Sequence, residues 1–183
     1  MNHMHTHPTI AARRVIHRGK KFDFEQVDVA MPSGGVVQRE MVRHPGAVVV
    51  VPRMDDGRLV LIRVYRFALE RWSIECCAGT LEIGEDPAVC ASRELIEETG
   101  YQAARVSPLG SYDTTPGLTS ERMHAYFADG LAYVGQRLEP DEAIEVLLTP
   151  PREALAMIDD GRLCDGKSMV ALLVAQRRGL LGV

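Results

Sequence analysis

Short runs of apolar residues, separated by turn-forming residues, occupy most of the chain after residue 45 and predict a series of β-strands. The most hydrophobic run lies within residues 46–52 and is rich in valine, which is typical of a buried strand. Asp55-Asp56-Gly57 follows as a hairpin turn, so residues 58–66 are predicted to form the partner strand. Further strands are predicted over 73–81, 105–112, 121–127 and 142–148, and helices over 151–158 and 167–177.

The N-terminal part of the chain also has the pattern of extended structure. Strands are predicted over residues 13–18, 22–30 and 35–43, with a turn at Pro32-Ser33-Gly34-Gly35. Three such strands cannot bury their own faces, so residues 13–43 are expected to pack on the main domain or on a second subunit. The residues before them, 1–12, include His3, His5 and His7 and are expected to be a disordered tail.

Helical periodicity replaces the alternating pattern after residue 86. Asp86 suits the N-cap position, Pro87 the first helical position and Gly100 the left-handed position beyond the last turn. An apolar stripe of Ala88, Ala91 and Leu95 can face a core. Strands interrupted by this helix and followed by two more helices predict an α/β fold with a mixed sheet between helices.

The same helix carries a concentration of acidic residues. Glu94, Glu97 and Glu98 stand at i, i+3 and i+4, so their side chains share one face and repel one another. A hard divalent cation such as Mg²⁺ would relieve this repulsion, because it binds carboxylate oxygens and keeps room for water and phosphate. Arg93 can pair with Glu85 in the loop before the helix. The alternative for the glutamates alone is a solvated acidic face.

Composition places the protein among ordinary globular chains. Its 183 residues suit one domain with a modest extension, and 46% of them are hydrophobic and 25% charged. The net charge of −4 gives no electrostatic reason to expect a nucleic-acid or membrane partner. Its four cysteines lack the spacing of a zinc site and fit reduced thiols in a cytoplasm; they are Cys76, Cys77, Cys90 and Cys164.

The residues between Gly79 and Gly100 carry a specific resemblance. Gly79 is followed after five residues by Glu85, and after seven more by Arg93-Glu94-Leu95-Ile96-Glu97-Glu98-Thr99-Gly100. This pattern resembles the signature of the Nudix hydrolases, which cleave nucleoside diphosphates linked to another group. The resemblance implies an α/β/α sandwich with a mixed β-sheet over residues 44–183, to which residues 13–43 add a small antiparallel β extension.

Residues outside the signature are similar to the ADP-ribose pyrophosphatase branch of that family. These are His44-Pro45-Gly46-Ala47-Val48, Tyr65-Arg66, Glu75 with Ala78-Gly79, Thr115-Pro116-Gly117, Glu139 to Val146, and Asp165-Gly166-Lys167-Ser168. Val64 and Cys76-Cys77 depart from the residues usual in that branch, and so does Leu118. The departures leave the metal-binding residues intact and leave the nucleoside and sugar preference open.

The resemblance implies roles for individual residues of the acidic site. The Ala78 carbonyl, Glu94 and Glu98 would be metal ligands. Glu97 would add a ligand or hold a metal-bound water. Glu85 and Arg93 would brace the loop before the helix.

Substrate-binding roles follow from the same resemblance. Arg66 would bind a phosphate, since a guanidinium matches phosphate geometry. Arg39 and Glu40 would reach across a homodimer to the adenosine end of the substrate. Glu142 would activate or orient the attacking water. Pro116 and Gly117 would belong to the substrate-binding loop.

The sequence therefore predicts a Mg²⁺-dependent hydrolase, with Mn²⁺ as a substitute, acting on a nucleoside diphosphate sugar. ADP-ribose is the first expected substrate, with AMP and ribose 5-phosphate as products. GDP-mannose or another nucleotide sugar is the alternative within the enzyme class. The alternative outside it is a non-catalytic module that senses a nucleotide.

Overall fold

The computed structural model describes residues 7–183, so two of the three N-terminal histidines, His3 and His5, lie outside the described residues. Within these residues the chain forms ten strands and three α-helices. The strands are β1 (Thr9–Arg18), β2 (Asp23–Ala30), β3 (Val36–Arg43), β4 (Ala47–Pro52), β5 (Leu59–Arg66), β6 (Arg71–Cys76), β7 (Ala78–Thr80), β8 (Tyr101–Asp113), β9 (Arg122–Tyr133) and β10 (Ile144–Thr149). The helices are α1 (Pro87–Thr99), α2 (Pro151–Asp159) and α3 (Gly166–Arg177). No helix within residues 7–183 is both long enough and apolar enough to span a membrane.

The chain divides into two compact units. Among the described residues, one unit contains residues 7–45 together with Asp113–Arg122, and the other contains Gly46–Tyr112 and Met123–Val183. The first unit therefore includes a segment that the sequence assigned to the 44–183 domain. Hydrogen bonds explain this difference, because Val42 N–H donates to the Leu118 carbonyl at 2.9 Å and Ser120 N–H donates to the Val42 carbonyl at 3.0 Å.

Strands β1, β2 and β3 form an antiparallel sheet, as predicted for the N-terminal extension. β1 begins at Thr9, so the expectation of a disordered tail through residue 12 is wrong for residues 9–12. Those residues pair with β2, Thr9 standing opposite Ala30. Within these three strands only Glu25 and Val27 are buried, which agrees with a sheet that has little core of its own.

The second unit is built around β4, which is buried along its whole length. β4 pairs in parallel with β9 and antiparallel with β7, so this sheet, ordered β7-β4-β9-β8, is mixed as predicted. A second, antiparallel sheet has the order β10-β5-β6. Successive β4 side chains point to opposite faces, since side chains alternate along a strand. Val48 and Val50 pack with α1, whereas Val49 and Val51 pack with α2 and α3.

Two apolar cores therefore lie on opposite sides of β4, and helices cover both. Leu95 of α1 is fully buried in one core, and Leu172 of α3 is fully buried in the other. Burying a leucine side chain contributes about 1.5–3 kcal/mol, so each helix is stabilised mainly by its apolar face. This is the α/β/α arrangement predicted from the sequence.

The predicted strand over 73–81 is divided in the structure. β6 ends at Cys76 and pairs with β5, whereas β7 begins at Ala78 and pairs with β4. Cys77 is the point of transfer, and its carbonyl accepts the Val50 N–H at 2.9 Å. The chain thus leaves one sheet and joins the other immediately before the acidic loop.

Candidate functional site

Helix α1 has the ends that its sequence predicts. The Asp86 side chain accepts hydrogen bonds from the N–H groups of Ala88 (2.8 Å) and Val89 (3.3 Å). Gly100 has a φ of 77° and donates its N–H to the Ile96 carbonyl at 2.8 Å. Left-handed backbone of this kind favours glycine, so the helix stops at a defined position.

Arg93 holds the loop that precedes α1. Its Nε donates to Glu85 Oε1 and its Nη2 to Glu85 Oε2, both at 3.0 Å. Glu85 Oε2 also accepts the Glu82 N–H at 2.9 Å, which closes the loop. Hydrogen bonds from Arg93 bring the pKa of Glu85 down to about 2 from 4.5. The predicted pairing of Glu85 with Arg93 is present in the structure.

Arg93 also contacts two glutamates of the acidic face. Its Nη1 donates to Glu94 Oε1 at 2.7 Å and to Glu97 Oε2 at 2.9 Å. Glu94 is buried, whereas the Glu97 side chain is 37% exposed. One guanidinium therefore offsets part of the charge repulsion among these carboxylates.

Glu98 is the most deeply buried carboxylate of α1, with 4% of its surface exposed. Its Oε2 accepts the N–H of Ala78 at 2.8 Å, which joins α1 to β7. Burial, together with the nearby charges of Glu94 and Glu142, raises the pKa of Glu98 to about 8. Burial also raises the pKa of Glu94. The charged forms of Glu94 and Glu98 are thus disfavoured in this protein, and a bound cation would stabilise them.

Gly79 allows the backbone of β7 to approach these carboxylates. A Cβ atom at this position would lie 1.8 Å from Glu94 Cδ, a distance that no pair of non-bonded atoms tolerates. The Glu94 carboxylate thus occupies the space that a side chain at residue 79 would fill. The backbone of β7 at Ala78 and Gly79 therefore lies next to the Glu94 and Glu98 carboxylates of α1.

These groups fit a hard divalent cation by their chemistry, since they are carboxylate and carbonyl oxygens. Among residues 7–183, however, no three His, Cys, Asp or Glu side chains are grouped closely enough to hold a metal ion. Glu94 and Glu97 both accept hydrogen bonds from Arg93 Nη1, and Glu98 accepts the Ala78 N–H. The metal-ligand roles of Ala78, Glu94, Glu97 and Glu98 stay predictions.

Arg66 makes a paired contact that the sequence did not predict. Its Nε donates to Glu75 Oε1 at 2.9 Å, and its Nη2 donates to Glu75 Oε2 at 2.7 Å. Lys167 also donates to Glu75 Oε2. Burial by itself would raise the pKa of Glu75, but Arg66 and Lys167 outweigh it and bring the pKa down to about 2.

Sequence reasoning assigned no role to Glu75 or Lys167. Residue 75 stands opposite Ile62 in the β5–β6 register, and Ile62 and Arg66 are four positions apart on one strand. The alternation of side chains therefore offered a signal that Glu75 and Arg66 share a face. No local signal pointed to Lys167.

Glu142 lies in the loop before β10, because that strand begins at Ile144 and not at residue 142 as predicted. Its Oε2 accepts the Glu139 N–H at 2.9 Å, and its own N–H donates to the Glu139 carbonyl at 3.0 Å. Its charge contributes to the raised pKa values of Glu94 and Glu98. The loop acid is thus electrostatically coupled to the acidic face of α1.

The remaining predicted residues belong to the first unit. Arg39 and Glu40 are exposed on β3, and Arg39 Nη1 donates to the Gln38 carbonyl at 3.0 Å. Pro116 and Gly117 are exposed in the loop between β8 and β9. Their substrate-binding roles stay predictions.

Gly79→Ala should lower kcat by at least about tenfold, because displacing a reacting group by an ångström costs that much or more. The new methyl group would push away the flexible end of Glu94. Steady-state kinetics and thermal unfolding should therefore show lost turnover in a protein that still folds. Gly166→Ala is the matched control, since a Cβ there meets nothing within 4 Å. Full activity of the Gly79→Ala variant would contradict the placement of Glu94.

Comparisons with known proteins give the family. Residues 42–171 match the profile of the NUDIX domain. The chain is 36% identical over 172 residues to an ADP-ribose pyrophosphatase of Bacillus subtilis strain 168, with 93% of each chain covered. It is 39% identical over 163 residues to a methanol dehydrogenase activator of Bacillus methanolicus, with 88% of each covered. It is 33% identical over 172 residues to a GDP-mannose pyrophosphatase of Yersinia enterocolitica, again with 88% of each covered.

A solved structure described as an ADP compounds hydrolase superposes with a TM-score of 0.80 at 26% identity, covering 94% of both chains. The signature between Gly79 and Gly100, the sequence similarity to these relatives and the structural similarity therefore all indicate the same family. This chain belongs to the Nudix family.

Proposed function

We propose that this protein hydrolyses the diphosphate bond of a nucleoside diphosphate sugar in a divalent-metal-dependent reaction, with ADP-ribose as the first substrate. The observation that carries the proposal is the buried pair of Glu94 and Glu98 beside the Ala78-Gly79 backbone. The similarity to an ADP-ribose pyrophosphatase supports the choice of substrate. Addition of water across the P–O–P linkage would release AMP and ribose 5-phosphate.

Different residues of the site would bind the metal, bind the phosphate and orient the attacking water. The Ala78 carbonyl, Glu94 and Glu98 would hold Mg²⁺, or Mn²⁺ in its place, and the ion would neutralise diphosphate charge and polarise phosphorus. Arg66 would bind a phosphate oxygen pair. Glu142 would orient the attacking water or accept its proton.

Other residues support this arrangement. Arg93 and Glu85 would keep the preceding loop closed, and Glu97 would hold a water beside the metal. Arg39, Glu40, Pro116 and Gly117 would contact the remainder of the substrate.

All four cysteines are free thiols, which supports a cytoplasmic location.

A coupled phosphatase assay over a panel of nucleotide sugars tests the proposal. A phosphatase releases inorganic phosphate from AMP or a sugar phosphate and leaves the intact diphosphate unreacted, so phosphate reports cleavage. ADP-ribose should give the fastest release with Mg²⁺, and EDTA should abolish it. Faster release from GDP-mannose would favour the second candidate, which is supported by the similarity to a GDP-mannose pyrophosphatase. Binding without any cleavage would indicate a nucleotide-sensing module.

We also propose a homodimer in which residues 13–43 form part of the interface. β1, β2 and β3 bury few of their own residues, so a partner subunit would stabilise them. Light scattering of the full chain should give twice the 20.2 kDa mass of one subunit. A mass of one subunit at working concentration would exclude the dimer.

A subunit-mixing experiment tests where Arg39 acts. If Arg39 serves the site of the partner subunit, mixing inactive Arg39→Met with inactive Glu98→Gln should restore activity. One site of the hybrid dimer then has both residues intact. If Arg39 serves its own subunit, no hybrid has an intact site and mixing should restore nothing.

A further inference from the structure

The buried Glu75 carboxylate accepts hydrogen bonds from two positively charged side chains, Arg66 and Lys167, which lie on different elements of the second unit. Its side chain is 2% exposed, and both of its oxygens accept hydrogen bonds from Arg66 at the end of β5. Oε2 is shared with Lys167 from the first turn of α3. Lys167 also pairs with Asp165, Nζ to Oδ1, at 2.9 Å. These four charged groups form a continuous chain from β5 through β6 to α3.

The position of Lys167 is determined by the same strand that carries Glu75. The Cys76 N–H donates to Ser168 Oγ at 2.8 Å. The Ser168 hydroxyl in turn donates to Asp165 Oδ2 at 2.5 Å, and the Asp165 side chain caps α3. The beginning of α3 is therefore bonded to the backbone next to Glu75, which keeps Lys167 within reach of the Glu75 carboxylate.

This arrangement controls the orientation of Arg66. A carboxylate that accepts from both Nε and Nη2 fixes the plane of the guanidinium group. A guanidinium has five N–H donors, and the other three of Arg66 enter no hydrogen bond within the described part of the chain. With its side chain 38% exposed, Arg66 thus presents a free edge that is already oriented for an anion.

Lys167 also controls the charge around Arg66. Arg66 and Glu75 together are neutral, and Asp165 adds one negative charge. Without Lys167 these groups would carry a net charge of −1. A substrate diphosphate would then meet a negative field. With Lys167 the four groups are neutral.

We propose that Glu75 and Lys167 are positioning residues that hold Arg66 in its phosphate-binding orientation and prevent a negative field beside it. The inference rests on the proposed hydrolysis of a nucleotide sugar and adds two residues to its substrate-binding apparatus. Neither residue contacts the substrate. Both act through Arg66.

Lys167→Met keeps the length of the side chain and removes its charge. The KM for ADP-ribose should rise about tenfold while kcat changes by less than about twofold, as expected when binding shared by ground state and transition state is lost. Lys167→Arg retains a cation and should keep KM within about threefold of the wild type. In an Arg66→Met background, the added Lys167→Met change should raise KM by less than about twofold, because the residue through which it acts is gone.

Arg162→Met is the matched control, since Arg162 forms exposed ion pairs with Glu153 and Asp160 and should leave KM unchanged. A Lys167→Met variant with lower thermal stability and an unchanged KM would overturn the proposal in favour of a purely structural role. The proposal would also be overturned if Lys167→Met raised the KM for ADP-ribose by the full tenfold in the Arg66→Met background. If the double variant does not fold, equal KM values for Lys167→Arg and Lys167→Met would overturn it. A wild type that cleaves no nucleotide sugar refutes the proposed function first, and the inference with it.

Discussion

Replacing Glu98 by glutamine should lower kcat by about a hundredfold or more while the protein remains folded. The amide has nearly the same volume, and its carbonyl oxygen can still accept the Ala78 N–H. It cannot supply the negative charge that a divalent cation requires. Turnover of ADP-ribose with saturating Mg²⁺ is the measurement.

Thermal unfolding of the same variant gives an independent readout. Burial raises the pKa of Glu98 to about 8, so ionisation of Glu98 opposes folding when the pH exceeds its ordinary value of 4.5. In EDTA the Glu98→Gln variant should therefore have a Tm equal to or above that of the wild type. Addition of Mg²⁺ should raise the Tm of the wild type and leave that of the variant unchanged, because a ligand stabilises only the state that binds it.

Glu94→Gln should behave like Glu98→Gln, since both carboxylates are buried on the same face of α1. Glu82→Gln is the matched control, because Glu82 is an exposed acid in the loop that precedes the helix. Activity should disappear with EDTA and return with Mg²⁺ or Mn²⁺. Full activity of Glu98→Gln would refute the assignment of the metal site.

Glu142→Gln should lower kcat by about 10²–10⁴-fold and leave KM nearly unchanged, which is the usual contribution of a general base. The carboxylates of α1 are expected to be occupied with metal, so a separate group is needed for the water. Glu142 is electrostatically coupled to Glu94 and Glu98, and its loop lies at the start of β10. Loops in such positions can close over bound substrate.

Three neighbouring acids serve as controls for Glu142. Glu139→Gln, Asp141→Asn and Glu145→Gln should each lose less activity. Glu145 pairs with Arg63 at 2.9 Å, which gives it a separate role in the sheet. Normal turnover by Glu142→Gln together with an inactive Glu97→Gln would place the base within the helix.

Local elements were predicted well because their determinants are close together in the chain. The N-cap at Asp86, the stop at Gly100 and the shared face of Glu94 and Glu98 all depend on contacts within a few residues. The spacing of 3.6 residues per turn is sufficient to derive that face. The bond between Glu85 and Arg93 was predictable for the same reason.

Contacts between distant segments could not be predicted in this way. The Ala78 N–H meets Glu98 only because β7 pairs with β4 while α1 packs on the same strand. Lys167 meets Glu75 across 92 positions of sequence. Thr119 forms a β-bridge with Val42, and residues 113–122 therefore belong to the first unit. No local propensity encodes such pairings.

The sequence by itself determined the acidic helix, its two ends and the chemistry that its carboxylates favour, because each follows from spacing along one element. Only the tertiary structure decided which carboxylates are buried, how closely Gly79 approaches Glu94, and that Arg66 shares Glu75 with Lys167. The physical reason is that burial and electrostatic coupling depend on how helices and sheets pack. That packing is set by contacts between residues far apart in the chain.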